Sequence, residues 1–228
     1  MTQKPGLVQI AYDKILHDIL AFALKPGDLI SDYQLSKDSG MSRTPVREAI
    51  QKLMYDSLVV LENGKAVVSD ISEEDIREIT ELRSALERQA IEIILTRQPL
   101  SPQALSQLRQ LNNELQEAIK ARDYKRNFGI EDRFHGLLVK SCGNKRIMEA
   151  YEQYHLLMVR ARWLSIFYPD YEPTLDEHAA IIDALESGNR EAAIAALDRH
   201  MHSSYKHFSR VFTDPEIKAA AKFVALLK

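Results

Sequence analysis

The stretch "LVVLENGKAVVS", residues 58–69, constrains the chain more than any other. Two β-branched runs flank Asn63–Gly64, a dipeptide that accepts two consecutive left-handed residues and so closes a two-residue hairpin. What precedes it is helical. Residues 7–24 set Ile10, Leu16, Ile19, Leu20 and Ala23 near helical spacing, and "KPGD" stops that run. Leu29 and Ile30 read as a very short strand. "SDYQ", residues 31–34, is a capping box opening a second, short helix, and Gly40 ends it. Ser42 caps a third helix, its hydroxyl positioned to satisfy an orphan amide of the first turn. Pro45 falls inside that turn, where a missing N–H is tolerated and a fixed φ suits the helix. Ile50, Leu53 and Met54 carry the apolar face.

Three helices followed by a hairpin is the order of a winged helix-turn-helix. The helix opened by Ser42 is then the second of that motif, the one that enters a DNA groove. Its first turn presents Arg43, Thr44 and Arg47. Helix-end amides favour phosphate, and an arginine can pair bidentately with guanine O6 and N7. The hairpin tip, Asn63 to Lys65, is a wing that reaches the backbone or an adjacent groove. Charge alone does not suggest this: the chain carries a net charge of −3, and residues 1–70 hold eight Lys and Arg against nine Asp and Glu. A nucleic-acid surface here has to be local.

From Ser72 onward the chain reads as helices alone. "SEED" at Ser72 is a capping box opening a long helix to about Arg97. "SPQ" at Ser101 opens another with Pro102 at its first position. A third spans about 123–142 and stops at Gly143–Asn144; a fourth runs to about Tyr168. "TLDE" at Thr174 is a further box, for a helix ending at Ser187–Gly188. Asn189 starts the next, to about Phe212, and Asp214 a last short one. The fold class is therefore mainly α: a winged helix-turn-helix with a small β-hairpin wing over residues 1–70, and an antiparallel all-α bundle over 71–228.

Polar residues interrupt the apolar stripes of that bundle. Arg83 sits amid Ile76, Ile79, Leu86 and Ala90, and a buried arginine requires an anionic or carbonyl partner. Glu131 and His135, four apart, share a face with Phe128, Leu138 and Cys142. His178 lies on the stripe of Leu175, Ile182 and Leu185, and His200 at the edge of that of Ile194, Leu197 and Met201. Singly, each histidine reads as a hydrogen-bonded core residue. Together with one carboxylate, three imidazoles suit Zn, Ni, Mn or Fe. His17, His155, His202 and His207 read as surface or supporting residues. The single cysteine, Cys142, excludes an intrachain disulfide and fits a reducing cytoplasm. The N-terminus has no apolar signal region, and no run approaches the roughly 20 apolar residues of a membrane span.

The segment "LKPGDLISDYQLSKDSGMSRTPVREAIQKL" resembles the winged-helix signature of GntR-type transcription regulators. "EDRFHGLLVKSCGN" and "DEHAAIIDALESGNREAAIAALDRHM" are similar to the metal-binding blocks of the FCD ligand domain in the FadR subfamily. The resemblance covers nearly the whole chain. It implies a homodimeric, cytoplasmic regulator, more often a repressor, on a palindromic operator of double-stranded DNA. It implies a divalent transition metal (Zn, Ni or Mn) on Glu131, His135, His178 and His200. Glu131 stands where the family usually has Asp, and the adjacent Asp132 is an alternative ligand. A small organic acid effector would meet Arg83, with Arg162 a second candidate. Ser42, Arg43, Thr44, Arg47, Gly64 and Lys65 would contact DNA, whereas Tyr33 stands where one subgroup has a DNA-contacting arginine. Two rival readings are a metal-free regulator of an acyl-type ligand and a metalloenzyme with Glu131 as general base.

Overall fold

The computed structural model describes residues 6–20, 23–164 and 172–216; of residues 124, 125, 159–164 and 172 only the backbone is described. The chain divides into two compact units, Met1–Ile71 and Ser72–Lys228.

The first unit holds α1 (Leu7–Leu20), α2 (Asp32–Ser39), α3 (Arg43–Tyr55), β1 (Val59–Glu62) and β2 (Lys65–Val68). Its core forms where Ala11, Ile15 and Ile19 of α1 pack on Val46, Ala49, Ile50 and Leu53 of α3. The face of α1 differs from the expected one: Ile10 remains 42% exposed, and Ala11 and Ile15 take its place. The strands pair antiparallel from Val59 opposite Val68 to Glu62 opposite Lys65. Asn63 (φ 51°) and Gly64 (φ 76°) are both left-handed, as a tight hairpin matched to strand twist demands. Leu29 bridges Val67 as an isolated third pairing, and Ile30 N–H donates to Ala66 O at 2.8 Å.

The helix starts show which signals were local. Ser31 accepts from Gln34 N–H, but the Gln34 side chain donates to Asp38 at 2.7 Å instead of closing the box. Ser42 occupies the cap position of α3 yet its hydroxyl accepts no capping bond. The reason is Pro45: it is the third helical residue, whose amide a cap oxygen commonly takes, and proline has none. Tyr12 Oη donates to Asp56 Oδ2 at 2.6 Å, tying α1 to the residue that ends α3. Burial, with help from Asp56, holds the Tyr12 phenol in its neutral form well above its usual titration range.

The second unit holds α4 (Glu73–Thr96), α5 (Pro102–Lys120), α6 (Tyr124–Ser141), α7 (Lys145–Leu164), α8 (Glu172–Glu186) and α9 (Arg190–Thr213). The Ser72–Asp75 box is complete in both directions, Ser101 caps α5 with Pro102 in its first turn, and Asp123 and Asn189 cap α6 and α9. α8 departs from expectation. It begins at Glu172, two residues ahead of the supposed box, so Thr174 and Glu177 lie inside it. The expected ends of the fourth helix near Tyr168 and of the last short helix lie outside the described residues. α4 packs against α6, α7 and α9, α5 against α6 and α8, and α8 along α9. Ile91, Ile94, Leu138, Ile181 and Leu197 anchor one apolar cluster; Leu108, Leu115, Phe134 and Ile182 anchor a second.

Removing the Tyr12 hydroxyl takes away a charge-assisted bond that links two helices. Tyr12→Phe is expected to lower the stability of the N-terminal unit by about 1–2 kcal/mol, read as a lower urea midpoint; an unchanged midpoint would show that water replaces the bond without loss.

Candidate metal centre and DNA-reading surface

Four side chains meet where α6, α8 and α9 face one another. One ligand-capable atom from each of Glu131, His135, His178 and His200 lies within 4.8 Å of the others. The three imidazoles are at most 1% exposed. The Glu131 carboxylate stands 3.7 Å from His135 Nε2 through one oxygen and 3.7 Å from His178 Nε2 through the other. The carboxylate gathered here is that of Glu131, not of the adjacent Asp132. His200, placed at a stripe edge by its spacing, is fully enclosed.

Each ring is oriented differently. His135 Nδ1 lies 2.8 Å from Glu87 Oε2. His200 Nδ1 lies 3.0 Å from Glu177 Oε2, whose other oxygen accepts from the Ser203 hydroxyl. His178 has no such tether: its ring lies flat on Phe134, centroids 3.8 Å apart and planes 4° apart. Among the described residues neither of its nitrogens has a hydrogen-bond partner. Burial, opposed in part by Glu131, keeps the His178 pKa well below the ordinary histidine value, and burial likewise lowers that of His200.

These orientations decide what the cluster can hold. A carboxylate accepts, so Glu87 and Glu177 place the proton of a neutral ring on Nδ1 and leave a lone pair on Nε2. The Nε2 atoms of His135 and His200 face each other at 3.2 Å. Two lone pairs at that distance repel unless a proton or a cation lies between them. Neutral imidazoles backed by carboxylates, with a third ring whose nitrogens are unpaired and a carboxylate at hand, are a donor set that fits a divalent cation. Such an ion would act as a Lewis acid toward a ligand oxygen.

Arg83 enters the same network from α4. Its side chain is 4% exposed and its Nε donates to Glu87 Oε1 at 2.6 Å. Glu87, fully buried, thus joins Arg83 to His135. Burial works against its charge, but the Arg83 and His135 sides outweigh it and hold the carboxyl well below its usual range. Glu87 is the anionic partner that a buried arginine required, four residues along the same helix. Arg83 Nη2 remains without a hydrogen-bond partner among the described residues. It borders a cavity of about 10 Å³ lined also by Leu82, Leu86, Tyr151, Tyr154 and Met158, room for about one water. His155, read as a supporting residue, lines this cavity too. The side chain of Arg162 lies outside the described residues.

Asn127 was not singled out by its sequence. It is 1% exposed, one turn before Glu131, and neither amide atom is paired among the described residues.

In the first unit Ser42, Arg43, Thr44, Arg47, Gly64 and Lys65 are all exposed. The four α3-start residues form one local surface, and Gly64 and Lys65 sit at the tip and start of the returning strand. Arg43 and Arg47 share a partner from α2: Asp32 accepts from Arg43 Nη2 at 2.8 and 2.9 Å and from Arg47 Nε.

A winged helix-turn-helix joined to a helical bundle with a buried polyhistidine cluster defines a ligand-responsive transcription regulator. Comparison with known proteins places it: residues 7–68 match the bacterial regulatory proteins of the gntR family, and residues 78–203 match the FCD domain. The chain belongs to the GntR family, in the group that carries an FCD domain, and is a DNA-binding transcription regulator rather than an enzyme. It is 28% identical over 190 residues to the gluconate operon transcriptional repressor of Bacillus licheniformis, covering 80% of this chain and 76% of that one. It is 28% identical over 198 residues to the transcriptional repressor RspR of Escherichia coli, covering 85% of each. In fold it is similar to the E. coli McbR/YncC structure, with a TM-score of 0.77, 21% identity and coverage of 92% of this chain and 100% of that one. Among the described residues no helix is long and apolar enough to cross a membrane.

Glu87→Ala would strand the Arg83 charge in the core. A loss of about 3–5 kcal/mol is expected, checked by chemical denaturation of the metal-free protein; a loss below 1 kcal/mol would mean that water reaches Arg83.

Proposed function

We propose that the chain is a homodimeric repressor that binds a palindromic operator and leaves it when a small organic acid enters the helical unit beside a divalent metal. The observation that carries the reading is the pair of facing Nε2 atoms at 3.2 Å, each ring tethered by a carboxylate at Nδ1. A cation relieves that arrangement, and Zn, Ni or Mn suits three imidazoles and one carboxylate. Glu131, His135, His178 and His200 hold it. Glu131 is longer by one methylene than the aspartate usual in the family, and its carboxylate still reaches two ring nitrogens.

A divalent ion on those four residues would supply a Lewis-acid point for the effector's carboxylate, and Arg83 Nη2, without a hydrogen-bond partner among the described residues, would donate to the same group. Asn127, one turn before Glu131 on the same helix face, offers a donor and an acceptor to a further polar group of the ligand. The buried glutamate and three histidines beside Arg83 form a polar, cation-suited lining that favours a compact acid over the acyl-type alternative. In the N-terminal unit Arg47 and Arg43 meet base edges or phosphates, Ser42 and Thr44 the backbone, and Gly64 and Lys65 the flanking groove. The relatives named as repressors support the sign of regulation. An effector transmits a signal only through unequal affinity for the DNA-bound and free states.

Metal analysis of the purified chain tests the bundle half of this reading. About one transition metal per chain, lost in His178→Ala, is expected by elemental mass spectrometry. Absence of metal in the wild type after reconstitution would refute the centre. For the other half, Arg47→Ala is expected to weaken operator binding by about 10-fold or more and to leave metal content unchanged. An operator affinity equal to wild type would remove Arg47 from the reading surface.

A further inference from the structure

We propose that Asp32 is a positioning residue for sequence readout: its carboxylate aims Arg47, and secondarily Arg43, so that α3 reads a base edge rather than docking on phosphates alone. The inference rests on the reading of α3 as the helix that enters the groove.

The geometry is specific. Asp32 is the first residue of α2, whose N-terminus is fixed by the Ser31 cap. From there one carboxylate receives three bonds from two arginines on another helix. Arg43 and Arg47 are one turn apart on α3, so their side chains leave the helix on the same side. Arg47 gives Asp32 its Nε, which leaves both terminal nitrogens of this exposed side chain available to another acceptor. That end-on fork is the edge that matches guanine O6 and N7. Arg43 gives Asp32 one terminal nitrogen and keeps Nη1 and Nε for another acceptor.

Stability does not explain the arrangement. The arginine side chains are 51% and 59% exposed, and exposed ion pairs contribute little to folding. The carboxylate is nonetheless firmly ionised, its pKa lowered to about 2 by hydrogen bonds from Arg43 and then Arg47. A fixed negative charge beside the reading helix also repels the phosphate backbone. It therefore weakens binding to any duplex while improving the aim of the side chain that recognises one. Specificity is a difference of affinities, and Asp32 acts on both terms of it.

The test uses the full chain and a random-sequence duplex library. The wild type first enriches a duplex from the library, and dissociation constants are then measured for that duplex and for a scrambled one at one salt concentration. The expected result is that Asp32→Asn and Asp32→Ala each lower the scrambled-to-selected ratio by about 10-fold, with binding to the scrambled duplex unchanged or tighter. Thermal unfolding midpoints should stay near wild type, which separates aim from folding. Arg47→Lys supplies the second arm: if Asp32 acts through Arg47, Asp32→Asn adds nothing to the specificity loss of Arg47→Lys. An unchanged ratio, an equal gain of affinity for both duplexes, or additive losses in the double variant would overturn the proposal. Failure of the wild type to enrich any sequence would instead defeat the reading of α3, and this inference with it.

Discussion

The Glu87 carboxylate is the interaction on which the helical unit depends. It is an ion with no access to water, and an unpaired buried ion is a large cost. Its charge survives because Arg83 lies one turn before it on α4 and His135 meets it from α6. Each partner solves the problem of the others. Arg83 obtains the anion its burial requires, and His135 obtains an acceptor that fixes which nitrogen carries the proton. The nitrogen that His135 turns toward His200 is thus set by a residue outside the four-residue cluster.

That arrangement also makes a continuous polar line through an apolar bundle. From the cavity at Arg83 it runs through Glu87 and His135 to His200 and Glu177 and ends at Ser203. Arg83 is therefore linked through a single carboxylate to a ring of the histidine cluster. Phe134 and the apolar clusters on either side keep water out, which strengthens every electrostatic contact along the line.

The winged unit solves a different problem, how to hold flexible cations ready on an exposed surface. Pro45 stiffens the start of α3 and at the same time removes the amide that Ser42 would have capped, leaving the hydroxyl toward solvent. Asp32 then gathers both arginines on one carboxylate. The −3 charge of the chain hides this surface, because the basic groups that matter are two side chains and not an excess.

Much of this was legible in one dimension, and the reason is locality. The helix starts at Ser72, Ser101 and Asn189, the Asn63–Gly64 turn and the i, i+4 pair of Glu131 and His135 are encoded within a few residues, so spacing fixed them. The stripe positions of Arg83, His178 and His200 followed from helical period. What spacing could not supply was partnership. Glu87 looked like one more helix glutamate, although it sits one turn from Arg83; only the approach of α6 shows that it is buried and bridges to His135. Glu177 looked like part of a start signal, and its carboxylate is instead taken by α9. The exposed edge of α1 was misplaced at Ile10 because several apolar residues compete for the core and α3 chooses among them. The sequence by itself determined the elements, their order and the candidate side chains for metal or DNA, because those depend on near neighbours along the chain. The tertiary structure alone decided which carboxylate orients which imidazole and which aspartate aims which arginine, because those pairs lie up to tens of residues apart and exist only once the helices pack.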